Sequence, residues 1–146
     1  MNTSGRPHGP RIIVHSLDHA RAALDAAAAL GVPVTLASAA GAGGYAGPLW
    51  FKALIEAALR DHPGASAAAV LDCGDEAGTT LGALRAGIKQ IRFTGRGDVR
   101  ERLAAIAAAL GATIESGEPV PALDLLDAVD PARLCQAYLA GNKTGG

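Results

Sequence analysis

Short apolar runs alternate along the chain with longer stretches of helical period. Arg11 to Ser16 (RIIVHS) is a β-branched run, Asp18 stands where a helix cap belongs, and HARAALDAAAAL follows at helical spacing until Gly31 stops it. The pattern then repeats. Val32 to Ala37 reads as a second strand, and after a glycine-rich loop Pro48 opens the helix LWFKALIEAALR, which ends near His62-Pro63-Gly64. Ala67 to Leu71 is a third strand, Glu76 to Ala86 a helix closed by Gly87, and Ile88 to Phe93 a fourth strand. Asp98 caps VRERLAAIAAAL, Gly111 stops it, and Ala112 to Glu115 is a fifth short strand. Past Glu118-Pro119-Val120-Pro121 the pattern breaks, and ALDLLDAV and PARLCQAYLA read as two short helices divided at Asp130-Pro131.

Strands alternating with helices of this length are the signature of βαβ units with parallel strands and right-handed crossovers. The expected fold is a three-layer α/β/α sandwich with a five-stranded parallel sheet, Rossmann-like or flavodoxin-like, plus short C-terminal helices. A five-stranded barrel fragment is the competing architecture, and too few strands exist for a closed eight-stranded barrel. One α/β domain is expected over 11–140, between flexible segments at 1–10 and 141–146.

Composition sharpens this picture. The 33 alanines and 19 glycines exceed a third of the 146 residues, and aromatics reach only 3%, so helices must lie low on the sheet. The formal charge of -1 and the lack of a basic stripe argue against nucleic acid as a partner. No apolar run approaches membrane-spanning length, and the first ten residues lack an apolar signal core, so a cytoplasmic protein is expected. Cys73 and Cys135 have neither redox nor zinc spacing, and no histidine falls in a metal-binding motif; no metal is expected, and no cofactor is identified.

In an open parallel sheet, ligands bind beyond the carboxyl ends of the strands. Those ends deliver His15 and Ser16, Ser38 to Gly47, Asp72 to Asp75, Thr94 to Asp98, and Ser116 to Glu118. Ser38, Gly41, Gly43 and Gly44 belong to a loop whose amides could converge on an anion, although its spacing is neither that of a dinucleotide fingerprint nor that of a P-loop. Thr94, Gly95 and Arg96 add a guanidinium fork near a helix start, with Asp98 competing for the same donors. Asp72 is a candidate general base or acceptor, or else a loop cap. Cys73 is a candidate nucleophile whose thiol the helix dipole would acidify and Asp72 and Asp75 would not. His15 would pair with Asp72 for proton transfer if strands one and three are neighbours, as an order 2-1-3-4-5 requires. Trp50 and Phe51 make the second long helix the bulkiest element, and one of them is free to anchor a homo-oligomer.

The segment Gly82 to Ile91 (GALRAGIKQI) resembles the helix-to-strand joint of response-regulator receiver domains and of (βα)-barrel enzymes. The resemblance covers ten residues and implies that Asp72 stands at a receiver's phosphoacceptor position and Thr94 at its switch hydroxyl. The first strand ends in His15-Ser16 rather than an acidic pair, and the fifth in Glu115-Ser116 without a lysine, so neither family is assigned. Two function classes follow. One is a domain binding a small anionic metabolite or nucleotide at the rim of the sheet; the other is a non-catalytic regulatory or homo-oligomeric assembly domain.

Overall fold

The structure is a computed structural model that describes residues 9–145, so most of the segment 1–10 lies outside the described residues. It is an α/β fold built on a parallel sheet, as the sequence pattern requires. Six strands, β1 (Arg11–Ile13), β2 (Val34–Ala37), β3 (Ala67–Asp72), β4 (Gln90–Arg92), β5 (Thr113–Glu115) and β6 (Ala122–Asp124), are all parallel, in the order β5-β4-β3-β2-β1-β6. The sixth strand replaces the first of the two expected C-terminal helices. Residues 122–124 pair with β1, and only α6 (Pro131–Gly145) is helical, running on through the expected tail.

The remaining helices are α1 (Leu17–Leu30), a one-turn α2 (Ala42–Tyr45), α3 (Pro48–Arg60), α4 (Ala77–Arg85) and α5 (Gly97–Ala109). Ser16, rather than Asp18, caps α1: its side chain accepts from the His19 amide, and Asp18 sits in the first turn, where the helix dipole favours a carboxylate. Gly31 ends α1 at φ +66°, a left-handed conformation that glycine adopts without strain. Likewise Asp98 lies in the first turn of α5 and does not cap it. Pro48 opens α3 as expected.

Side chains alternate between the two faces of the sheet. Ile12, Val14, Val34, Leu36, Ala67 and Leu125 pack with Ala20, Ala23 and Leu24 of α1 and with Cys135 and Leu139 of α6 in one core. Phe51, Leu71, Ala83, Ile91 and Ala107 belong to a second core under α3, α4 and α5. The alanines of α1 at 20, 23, 26 and 27 are all buried, so their small size sets how closely the helix approaches the strands.

The opposite face carries Arg11 and Ile13, Thr35 and Ala37, Ala68, Val70 and Asp72, Gln90 and Arg92, Thr113 and Glu115, and Ala122 and Asp124. Arg11, Thr35, Gln90 and Arg92 are buried there. Sheet curvature accounts for this. Only residues 116–121 join β5 to β6, a path of at most roughly 25 Å. A flat sheet would set the two strands about 24 Å apart before adding the return from the carboxyl to the amino end. The turn at Gly117 (φ +89°) shortens the path further, so the sheet must curl. Curling brings Arg11 of β1 within 2.6 Å of Glu115 of β5, although three strands lie between them. No helix among the described residues is long and apolar enough to cross a membrane.

Candidate functional site

The concave face holds a chain of charges. Arg11 grips Glu115 with two hydrogen bonds, 2.9 Å to Oε2 and 2.6 Å to Oε1, and Arg92 donates to Oε2 at 3.1 Å. Arg92 also donates to the Gly117 carbonyl, and its Nε lies 3.8 Å from Asp72 Oδ2. Strand register places Arg92 beside Glu115 on β5 and beside Asp72 on β3. Hydrogen bonds from Arg11, outweighing the opposing effect of burial, hold the Glu115 carboxyl below the usual glutamate range, and Arg92 adds to the effect.

At the carboxyl-end side of this face lies a cavity of about 150 Å³, lined by Arg11, Ile13, Ser38, Asp72 and Arg92, with Pro119 and Val120 of the β5–β6 connection along one wall. The small residues Ala37, Ala40 and Ala122 leave the space open. A guanidinium carries five N–H donors. Of the ten on Arg11 and Arg92, four are hydrogen-bonded among the described residues: three to Glu115 and one to Gly117. Gln90, two residues before Arg92 on the same face and 2% exposed, has an Nε2 without a partner. Gln90 does not line the cavity, so the donors of the wall are those of Arg11 and Arg92. The charged groups of the wall are Arg11, Arg92 and Asp72, and Glu115, paired with both arginines, offsets the remaining positive charge.

Asp72 organises the surrounding loops. Its Oδ1 accepts from the Gly41 amide at 3.0 Å and the Gly74 amide at 2.8 Å, and its own amide donates to Ser38 Oγ at 2.9 Å. That arrangement fits the loop-capping alternative for Asp72 and ties the β2 and β3 ends together. Gly43 packs where a Cβ would lie 2.7 Å from Cys73 Sγ, so this loop needs glycine for close approach. Cys73 is fully buried, and its thiol is pushed up to about 11 by burial first and by Asp72 and Glu76 to a lesser degree, against a lowering contact from Thr80. The helix dipole does not overcome this, and a thiol held protonated and out of solvent is not set up as a nucleophile.

Other candidates fall in different places. Gly41 and Gly44 line a second depression with Tyr45, Cys73, Gly74, Asp75 and Glu76, whose charges are acidic. Thr94, Gly95 and Arg96 lie on the β4–α5 loop; Arg96 is 80% exposed, and its fork is taken by Asp98 at 3.1 and 2.8 Å. A larger cavity of about 540 Å³ sits at the other end of the sheet, between the C-terminal ends of α1 and α3, and His62 is its titratable side chain. Strand carboxyl ends, not size, decide between them, because the larger cavity is lined mainly by Ala27, Val32, Pro33 and Gly64 and gathers few polar groups.

His15 does not meet Asp72, because β2 lies between β1 and β3. Its partner is Asp124 at the end of β6, with Nε2 2.6 Å from Oδ1. Burial works to raise the Asp124 carboxyl, but the Leu126 amide, His15 and His19 outweigh it and leave Asp124 below the usual range. His19 lies edge-on to His15, with ring centroids 5.7 Å apart, and its Nδ1 accepts from the His15 amide at 3.0 Å. Burial first, and repulsion from His15 second, lower the His19 pKa, consistent with a neutral ring that accepts at Nδ1.

Sequence reasoning missed Arg11, Arg92 and Asp124 as site residues. The signal for the first two was alternation: Arg11 takes the face opposite Ile12, and Gln90 and Arg92 share the face opposite Ile91, so that face must meet something polar. Asp124 was hidden by its reading as part of a helix. The chain matches no family model and no curated protein.

Proposed function

We propose that the chain binds a small anionic metabolite at the carboxyl-end mouth of its curled sheet, in the cavity bounded by Arg11, Ser38, Asp72 and Arg92. One observation carries this reading: two arginines only 9% and 8% exposed line a cavity, and among the described residues four of their ten N–H groups are hydrogen-bonded. A carboxylate or phosphate supplies acceptors in the fork geometry that guanidinium donors match. A volume of about 150 Å³ suits an anion of a few carbons better than a nucleotide. The glycine loop supports the site through Asp72, and Arg96 takes a peripheral role at the rim. Two free, buried cysteines suit the reducing cytoplasm.

The test is calorimetric titration with inorganic phosphate and with pyruvate. Wild type should bind at least one of them, Arg92→Gln should weaken that affinity at least tenfold while still unfolding cooperatively, and Arg96→Ala should leave it within twofold. Equal affinity in Arg92→Gln and wild type overturns the reading.

A second reading, homo-oligomeric assembly through the α3 region, draws on exposed apolar side chains there. Phe51 is buried and Trp50 half-buried, whereas Tyr45 and Leu49 are 74% and 71% exposed. Sedimentation at rising concentration tests it, with Leu49→Glu reducing association if this surface is used.

A further inference from the structure

We infer that this mouth also carries out proton transfer: His15, fixed by Asp124, removes a proton from the carbon beside the carbonyl of a small 2-oxo carboxylate held at Arg11 and Arg92. This rests on the anion-binding reading and adds a reaction to it. Ile13 and Ala122 line the cavity, and two residues further along the same strands come His15 and Asp124. Val14 continues the ladder by donating to the Ala37 carbonyl and is fully buried on the helix side, so His15 falls on the cavity side by alternation. The pair is not part of the cavity lining but lies just beyond it, at the carboxyl ends of the neighbouring strands β1 and β6, with β2 and β3 between β1 and the β4 strand of Arg92.

The tautomer follows from the hydrogen bonds. Asp124 is a carboxylate held below its ordinary range, so the proton of a neutral His15 sits on Nε2 against it and leaves the lone pair on Nδ1. His19 supports this by accepting from the His15 backbone amide, which fixes the main chain next to the ring. A carboxylate that orients an imidazole and steadies the imidazolium formed on proton uptake is the arrangement general-base catalysis needs.

In the forward step the C–H bond breaks, its proton moves to Nδ1, and its electron pair passes into the carbonyl to give an enolate. The enolate oxygen gains the charge, and unused donors of Arg92 or Arg11 are placed to receive it. The reverse step returns a proton to carbon. Lys52 and Lys89 are committed elsewhere, donating to the Ala86 and Leu110 carbonyls, so the electrophilic role falls to guanidinium.

The experiment follows exchange of the pyruvate methyl protons for deuterium by proton NMR in deuterated, weakly catalytic buffer, alongside pyruvate affinity by titration. Wild type should accelerate exchange at least about 100-fold over buffer. His15→Gln should lose about 100-fold of that turnover, and Asp124→Asn about tenfold or more, each with pyruvate affinity within threefold of wild type. A fall in turnover at constant affinity separates the positioning role of Asp124 from a structural one, and the retained affinity reports a folded protein. Pyruvate binding without accelerated exchange, or exchange that survives both substitutions, overturns the proton-transfer inference and leaves the binding reading standing. Failure of wild type to bind pyruvate overturns the inference, while phosphate binding in the same series decides whether the anion site stands.

Discussion

Glu115→Gln is the most searching perturbation of the interior. The substitution keeps the shape of the side chain and removes the charge that neutralises Arg11 and Arg92, whose side chains are 10% exposed, as against 19% for Glu115. Breaking one side of a buried ion pair costs about 3–5 kcal/mol. Partial solvent access and the acceptor that glutamine retains bring the expected loss to about 2–4 kcal/mol. An unfolding entropy near 2.1 cal/mol/K per residue makes each kcal/mol worth about 3 °C for a chain of this length, so Tm should fall by about 6–12 °C at neutral pH. The pH dependence carries the sign. Glu115 has its folded-state pKa below its unfolded value, so its contribution is full above the ordinary glutamate range and disappears as pH falls through the folded pKa. The difference between wild type and variant should therefore shrink on acidification. Calorimetric unfolding of both proteins at neutral and acid pH is the assay, with urea titration as a second measure. A Tm within about 1 °C of wild type at neutral pH, or a gap that stays constant on acidification, would refute the buried ion network.

Three further outcomes follow from the geometry. Gly43→Ala puts a Cβ against Cys73 Sγ and the Asp72 carbonyl and should cost about 1–3 kcal/mol; a double-mutant cycle with Cys73→Ala in urea should show a favourable coupling of at least about 0.5 kcal/mol. The Cys73 and Cys135 thiols, both fully buried and both pushed up to about 11, should resist a thiol reagent such as iodoacetamide at mildly alkaline pH in the folded protein and react once urea unfolds it. His62 is raised first by its bond to the Ala58 carbonyl and then by Asp25. Its contribution is thus present below the unfolded histidine pKa and lost as pH rises through the folded one; Asp25→Asn should reduce the stability difference measured between about pH 5.5 and 8.5.

The sequence revealed local structure where neighbours in the chain decide it. The run RIIVHS, the helix stop at Gly31 and Pro48 at the start of α3 each carry their own signal within a few residues. Asp124 was out of reach for the opposite reason. Three residues of β6 are too few to display alternation, and they form a strand because β1, more than a hundred residues away, supplies the backbone partners. The same distance hid the His15–Asp124 pair, whose members are 109 residues apart. Asp72 was recognised as a rim residue, but its partners on the glycine loop depend on β2 lying beside β3, which a sequential order allows and periodicity cannot specify. The role of Arg11 required the curl of the sheet, since in a flat sheet a residue at the amino end of β1 would not meet Glu115.

The central claim is that a small anion is held at the carboxyl-end mouth by Arg11 and Arg92. Titrating isotope-labelled protein with pyruvate and with phosphate while recording backbone amide shifts tests it residue by residue. The account predicts saturable shifts concentrated at Ile13, Ser38, Val70, Asp72 and Arg92, on the wall of the 150 Å³ cavity. Shifts confined to Gly31, Val32 and Gly64 to Ser66 at the opposite end of the sheet, or no saturable shift with either anion, would contradict it.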